Sequence, residues 1–421
     1  MCPVTDKRLE EVYPGFSEKP EYYRGRIEKV YMGFKNTFIE NANSIRVFSA
    51  PGRSEIGGNH TDHQHGCVLA AAVDMDILAA SAVNGTNIIR LLSDGYNMEE
   101  ISLCSLTPMK EEVNTSTALI RGVAAKLTDM GYRIKGFDAY IISNVLKGSG
   151  LSSSAAFEVI LGVIMNGLFC KGEIDAVKIA QVGQYAENVF FGKPSGLMDQ
   201  TASSVGGIVA IDFKNVKDPG VRKLDFVFSK TGYALCIIDS GADHADLTDE
   251  YAAIPKEMRA VAGTAGKEVL GETTLNEILD NITEVRKTAG DRGVLRALHF
   301  FRDNERAKKE AELLENGDFD GFLELIKESG HSSWMYLQNV SVCGSSIHQE
   351  VAYSLAMCDI ILNGRGAYRV HGGGFAGTVQ AFVPEDMLEE FKLKIENTIG
   401  EGSCHILSIR NEGGIELTEG E

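Results

Sequence analysis

Apolar residues at Ile27, Val30, Tyr31, Phe34 and Phe38 fall at helical spacing within residues 20–41, and a turn follows at 41–43. Residues 44–50 carry Ile45, Val47 and Phe48 and read as a strand that enters a loop at 51–66. The stretch 68–82 is apolar and half buried, and 136–143, with Phe137, Ala139 and Ile141 on alternate positions, reads as a second strand. That strand feeds a Gly/Ser loop at Gly148, after which 155–169 returns to helical periodicity. A further helix is predicted at 176–190, stopped by Gly192 and Pro194. Strands at 207–213 and 233–239 follow, then helices at 306–314 and 319–329 joined by the turn Asn316-Gly317-Asp318. A strand at 368–371, a glycine run and a strand at 378–383 come last. Trp334, the single tryptophan, falls on a predicted helix with Tyr336 and Leu337, where core packing is expected. Helices and strands in this irregular order favour an α+β fold over a doubly wound sheet.

Length and charge narrow the picture. At 421 residues the chain exceeds one ordinary core, so two domains are expected. A net charge of −18 argues against nucleic acid or an anionic membrane as partner. It leaves phosphorylated ligands open, since a glycine-rich loop binds phosphate through backbone N–H groups even in an acidic protein. The eight cysteines contain no C-x-x-C pair and read as buried thiols of a reducing cytosol. Residues 1–21 lack the apolar core of a signal peptide. Asp74 and Asp76 interrupt 67–83, and Glu158 and Asn166 interrupt 157–170, so no span of a bilayer is expected and the location is read as cytoplasmic.

Four segments concentrate chemistry. Gly148-Ser149-Gly150-Leu151-Ser152-Ser153-Ser154-Ala155-Ala156 lies between a predicted strand and a predicted helix. Its glycines allow close backbone approach, and the helix's first N–H groups and macrodipole favour an anion. A serine run is equally an ordinary helix cap, so this loop alone leaves both readings open. It is not a P-loop of the Gly-Lys-Ser/Thr kind. Pro51-Gly52-Arg53-Ser54-Glu55-Ile56-Gly57-Gly58-Asn59-His60-Thr61-Asp62 packs a cation, an imidazole and a carboxylate into one glycine-rich segment. Pro194-Ser195-Gly196-Leu197-Met198-Asp199-Gln200 presents a carboxylate beside glycine just after a helix. Gly372-Gly373-Gly374-Phe375-Ala376-Gly377 follows a strand.

In this order the segments at Gly52, Gly148 and Gly372 resemble the three motifs of the GHMP kinases, and of galactokinases in particular. The first is similar to G-R-x-N-x-I-G-E-H-x-D-Y, the second to G-x-G-L-S-S-S-A, the third to G-G-G-F-G-G. Ala186-Glu187 with Gly192, Gly196, Met198, Asp199 and Gln200, then Asn304-Glu305-Arg306 and Glu328-Ser329-Gly330-His331-Ser332, extend the likeness over about residues 46–383. The resemblance implies an α+β fold of two GHMP-kinase-type domains, at 1–228 and 229–421, with the active site between them. It implies transfer of the γ-phosphoryl of ATP, with Mg2+, to the anomeric hydroxyl of galactose, giving galactose 1-phosphate. Asp199 and Arg53 are the implied catalytic pair. Gly148, Ser149, Gly150, Leu151, Ser152 and Ser153 are implied to bind the nucleotide, and Ser154 and Glu187 the metal. Asn59, His60, Asp62, Gly196 and Tyr251 are implied to meet the sugar. A monomer or weak homodimer is expected, with only sugar and ATP as partners.

Departures from the pattern bear on the substrate. Asn59 stands where galactokinases carry a glutamate for the C6 hydroxyl, Glu55 stands at the motif's asparagine, Gly57 at its isoleucine and His63 at its tyrosine. Ser116 and Leu119 replace aromatics near the nucleotide, and Ala376 replaces a glycine. Loss of a carboxylate at 59 makes galacturonate or arabinose alternative substrates. A catalytically inactive sugar sensor is the alternative of a different class, disfavoured because the phosphate loop and Asp199 are intact. His60, Asp62, His63 and His65 also form a metal-like cluster, of which the signature already explains two members.

Overall fold

The computed structural model describes residues 2–41, 44–146, 150–242 and 247–418. One sheet holds β1 (Arg46–Gly57), β2 (Cys67–Val83), β3 (Ile88–Ser93), β4 (Glu99–Ser102), β5 (Phe137–Ser143), β6 (Ile208–Asp212) and β7 (Gly220–Lys223). A second holds β8 (Tyr233–Asp239), β9 (Ala367–His371), β10 (Thr378–Pro384) and β11 (Cys404–Leu407), in the order β11-β8-β10-β9. The last strand, β12 (Ile415–Glu416), returns to the first sheet and pairs with β1, as does Ile409 with Val73 beside it. The chain end therefore crosses the division expected at 228/229.

β2 is the spine of the first sheet, and it is alanine-rich because both faces are covered at close range. Leu69, Ala71, Val73, Ile77 and Ala79 share a core with buried residues of the helices Ser116–Asp129 and Ser153–Phe169. Leu78, Ala80 and Ala82 pack instead with Tyr23, Ile27, Val30 and Phe34 of the helix Pro20–Thr37, which opens with proline at its first position. The first of these cores is continuous with Leu235, Ile237 and Phe382 of the second sheet and with Ala311 and Phe322 of the helices Ile282–Glu315 and Phe319–Ser332. The site lies along this joint.

Several expectations change. β1 continues through Gly57, so most of the first motif is strand and not the loop expected from 51 onward. Arg53, Ser54 and Glu55 pair with Ala72, Ala71 and Ala70, and register shifts between Pro51 and Arg53 and between Glu55 and Gly57 absorb the proline and glycine. The helix Ala176–Tyr185 passes into a π-helical turn, Ala186–Phe191, which carries Glu187. A second π-helical turn, Ser333–Leu337, buries Ser333 and Leu337 and leaves Trp334 57% exposed, so the expected core packing of Trp334 is wrong. Cys104 and Cys343 are exposed, against the expectation for thiols. Among the described residues no helix is long and apolar enough to cross a membrane.

Candidate active site

Three segments distant in sequence meet where β1 passes the start of the helix Ser153–Phe169. The Arg53 N–H donates to the Leu151 carbonyl at 3.0 Å. Gly52 permits this approach, since a Cβ there would lie 2.9 Å from the same oxygen. Arg53 is buried, its Nε donates to Asp199 Oδ1 at 2.7 Å, and its Nη1 donates to the Gly150 carbonyl. Asp199 enters from the first turn of the helix Met198–Val205, where the macrodipole favours a carboxylate. The Ser152 hydroxyl donates to the other oxygen, Oδ2, at 2.6 Å. Burial pushes the Asp199 carboxyl up, but the Arg53 charge and hydrogen bond, with Ser152 and Lys193, more than offset it and hold the group below its ordinary value. Asp199 is an anion, oriented on both oxygens.

Asp62 begins the short turn Asp62–Gln64, and its Oδ2 lies against Gly196, where any side chain would collide. Burial raises the Asp62 carboxyl to about 6, opposed by a backbone hydrogen bond from His63 and reinforced by Asp199 and Glu55. Two carboxylates of opposite character therefore stand together, one held below its ordinary value and one raised to about 6.

The remaining residues expected to meet sugar form a neighbouring cluster around the glycine run. His60 Nε2 donates to the Gly373 carbonyl at 3.1 Å, which leaves Nδ1 to accept from His63 Nε2 at 3.2 Å. His63 Nδ1 then accepts from the Gln64 amide at 3.2 Å. Burial holds His60 neutral, lowered to about 4, and both its ring nitrogens are engaged by protein. The Tyr251 hydroxyl donates to the Gly374 carbonyl at 2.9 Å, and its ring packs edge-on against Phe375 at 5.4 Å. Asn59 is fully buried. Its Nδ2 donates to Glu55 Oε1 at 2.9 Å and to the Gly372 carbonyl at 2.7 Å, while Oδ1 accepts from Asn339 at 2.9 Å and Ser333 at 3.4 Å. An amide with no exposed atom and no spare bond does not line a cleft, so the placement of Asn59 departs from the sugar contact expected of it.

Gly148 and Ser149 lie outside the described residues. Gly150 takes a φ of 72°, and a Cβ on it would meet His371 Nδ1 at 2.9 Å. Leu151 is a core side chain and offers only its backbone. Ser152 caps the helix in the left-handed region with its hydroxyl spent on Asp199, so it does not hold phosphate through that group as expected. Ser153 and Ser154 open onto a cavity of about 810 Å³ also lined by Tyr96, Ser116, Leu119, Phe157 and Phe191. Glu187 is buried, with Oε1 held by Lys193 at 3.3 Å and Oε2 by Gln200 at 3.0 Å.

Sequence reasoning missed three supporting groups. Glu158 shares the Gln200 amide at 2.8 Å, leaves Oε1 buried without a partner, and is pushed well above its ordinary value by burial and then by Glu187. It lies one turn beyond Ser154 and is the one charged residue of the helix Ser153–Phe169, which is the signal that could have found it. Arg369 donates to Glu55 Oε1, and His371 Nε2 accepts the Glu55 N–H at 3.2 Å. Neither stands out in a strand read only by its alternation.

The family model for the N-terminal domain of GHMP kinases matches residues 118–207, which contain Ser152 to Ser154, Glu187 and Asp199. The galactokinase galactose-binding signature matches residues 32–83, which contain Arg53 and Asp62. The chain thus carries a match to the GHMP kinase N-terminal domain and, ahead of it, to the galactokinase galactose-binding signature. It is 29% identical over 347 residues to the galactokinase of Streptomyces coelicolor, a match covering 80% of this chain and 84% of that one. The fold is that of galactokinase from Lactococcus lactis, solved in complex with galactose (TM-score 0.78, 23% identity, 92% of this chain and 99% of that one). Mevalonate kinase from Methanococcus jannaschii shares it more distantly, with a TM-score of 0.61 at 16% identity over 87% of this chain and 99% of the other. Within this chain the two matched segments are the ones that the Arg53–Asp199 pair joins.

Proposed function

We propose that the protein transfers the γ-phosphoryl group of ATP to the anomeric hydroxyl of galactose, forming galactose 1-phosphate. The observation that carries this reading is the Asp199 carboxylate, held ionised by Arg53 and Ser152 at the mouth of the phosphate loop, beside the Asp62–Gly196 contact. A carboxylate so acidic is a weak base toward a ground-state hydroxyl. Phosphoryl transfer proceeds through a loose transition state in which little proton transfer is needed early. Asp199 therefore orients the hydroxyl and takes its proton as the bond to phosphorus forms. Arg53 keeps Asp199 charged and adds a cation beside the transferring group. Asp62, ionised above pH 6, accepts hydrogen bonds from sugar hydroxyls.

Ser154 and Glu187 supply hard oxygen donors that fit Mg2+. The Ser154 side chain opens on the cavity, and Glu187 has only one neutral amide and one exposed lysine on its oxygens. When bound, the metal neutralises phosphate charge. Glu187→Gln is expected to raise the Mg2+ concentration needed for half-maximal turnover while leaving galactose affinity at equilibrium unchanged. Identical magnesium dependence in the variant would remove Glu187 from this role.

The direct test is ADP release over galactose, galacturonate, arabinose and N-acetylgalactosamine. Galactose should give the highest kcat/KM, and no turnover on any of them would sink the kinase reading. A pH profile adds a second check. Because burial raises the Asp62 carboxyl to about 6, kcat/KM for sugar should climb with pH and level off above about 6, with one proton lost per site. Asp62→Asn should lower kcat/KM and flatten that limb; a limb that persists belongs to another group.

A further inference from the structure

We infer that Asn59 is a positioning residue for phosphoryl transfer and not a sugar contact: it locks the Gly372–Gly374 backbone against the sugar loop. The inference rests on the kinase reading above.

The sequence shows the first sign of this. Against the galactokinase signature, asparagine and glutamate have changed places at positions 55 and 59. In the structure the two side chains bond directly, Asn59 Nδ2 to Glu55 Oε1 at 2.9 Å. The exchange moves the carboxylate one step back, onto β1, where Arg369 of β9 donates to it and in turn donates to Ser329 at 3.0 Å. A neutral amide then occupies position 59, and it alone of the two can both donate and accept.

Both capacities are used on one target. Asn59 donates to the Gly372 carbonyl at 2.7 Å, and its Oδ1 accepts at 2.9 Å from Asn339, whose amide also reaches the Gly373 carbonyl at 3.3 Å. With His60 on the Gly373 carbonyl and Tyr251, from the helix Thr248–Thr264, on that of Gly374, all three carbonyls of the run are held by side chains. The peptide bonds are trans, so the N–H groups of Gly373 and Gly374 point the opposite way. Neither has a hydrogen-bond partner among the described residues. The run directly follows His371, which abuts Gly150 of the phosphate loop. Two donors fixed between sugar loop and phosphate loop suit an anionic phosphoryl group in transit, and they are oriented only while the carbonyls are held. The Asn59 backbone is anchored too, its N–H to Asp303 at 2.7 Å and its carbonyl by His299 at 2.9 Å, so truncating the side chain leaves the loop in place.

The test compares Asn59→Ala and Asn339→Ala with the unsubstituted enzyme, by steady-state kinetics and by equilibrium binding of galactose. Both variants should lose about 10- to 100-fold in kcat, the scale of a small misplacement, with galactose Kd within about threefold. A tenfold or larger rise in galactose Kd at constant kcat in Asn59→Ala would make Asn59 a sugar contact and overturn the inference. Unchanged kcat in both variants would overturn it as well. Should Asn59→Ala fail to fold, Asn339→Ala decides alone, because it removes support from the same glycine run, at the Gly373 carbonyl and at Asn59 Oδ1. Absence of turnover by the unsubstituted enzyme would instead fail the kinase reading, and is scored first.

Discussion

Replacement of Asp199 by asparagine is expected to lower turnover by about 10²–10⁴-fold while nucleotide affinity stays within a few-fold. The substitution preserves shape and most contacts. Asparagine Oδ1 can still accept from Arg53 Nε, now 2.7 Å from the carboxylate, and its Nδ2 can turn to the Ser152 hydroxyl. What disappears is the negative charge that orients the attacking hydroxyl and receives its proton. Arg53 simultaneously loses the partner that offsets its own burial. Asp199 reaches the loop through Ser152 and Arg53, contacts that asparagine can keep, so the proposed nucleotide subsite is expected to persist. The measurement pairs kcat for galactose with nucleotide Kd by equilibrium titration. Turnover within about threefold of the unsubstituted enzyme would exclude Asp199 from the chemistry. A parallel collapse of nucleotide affinity would show that the Arg53–Asp199 pair holds the phosphate loop and does not act in transfer.

Much of this site was legible because its elements obey local rules. The strand at 136–143 alternates, the helix at 155–169 keeps its period, and a glycine-rich segment between them marks a close backbone approach. Ordered motifs then identified Arg53, Asp62, Gly196 and Asp199, and the fold brings these four together. The failures have physical causes. Pro51 and the glycines after it read as loop, yet two bulges let them stay in the ladder beside β2. Trp334 reads as core on a 3.6-residue period, but a π-helical turn breaks that period and turns it outward. Arg369, Asn339 and Glu158 act across 42 or more residues of sequence, and periodicity carries no information about such pairs. Asn59 was misplaced for the same reason: a motif fixes its position in the chain, whereas its partners Glu55 on β1, Gly372 in the glycine run and Asn339 decide which way the amide faces.

That placement decides what a substitution at 59 should do. Asn59→Glu, which brings the signature's residue to one position only, is expected to destabilise the fold by about 3–5 kcal/mol, the usual cost of an uncompensated buried charge. The new carboxylate would face Glu55, to which Asn59 now donates at 2.9 Å, and the Gly372 carbonyl at 2.7 Å, so two donated hydrogen bonds become two repulsions in a fully buried site. Arg369 is the one cation bonded to this pair among the described residues, and Ser329 already takes part of it. Burial and the like charge should raise the new group's pKa above its unfolded value. Its penalty is then smallest below the unfolded pKa and grows as pH rises toward the folded one, so the stability gap to the unsubstituted protein should widen between about pH 5 and 8. Adding Glu55→Asn removes the second carboxylate and returns a donor to the pair. In a double-mutant cycle by urea denaturation, Glu55→Asn and Asn59→Glu should therefore couple favourably, by about 1 kcal/mol or more. Additivity within about 0.5 kcal/mol would mean that the two side chains do not share a site in solution, and the exchange at 55 and 59 would lose its structural explanation.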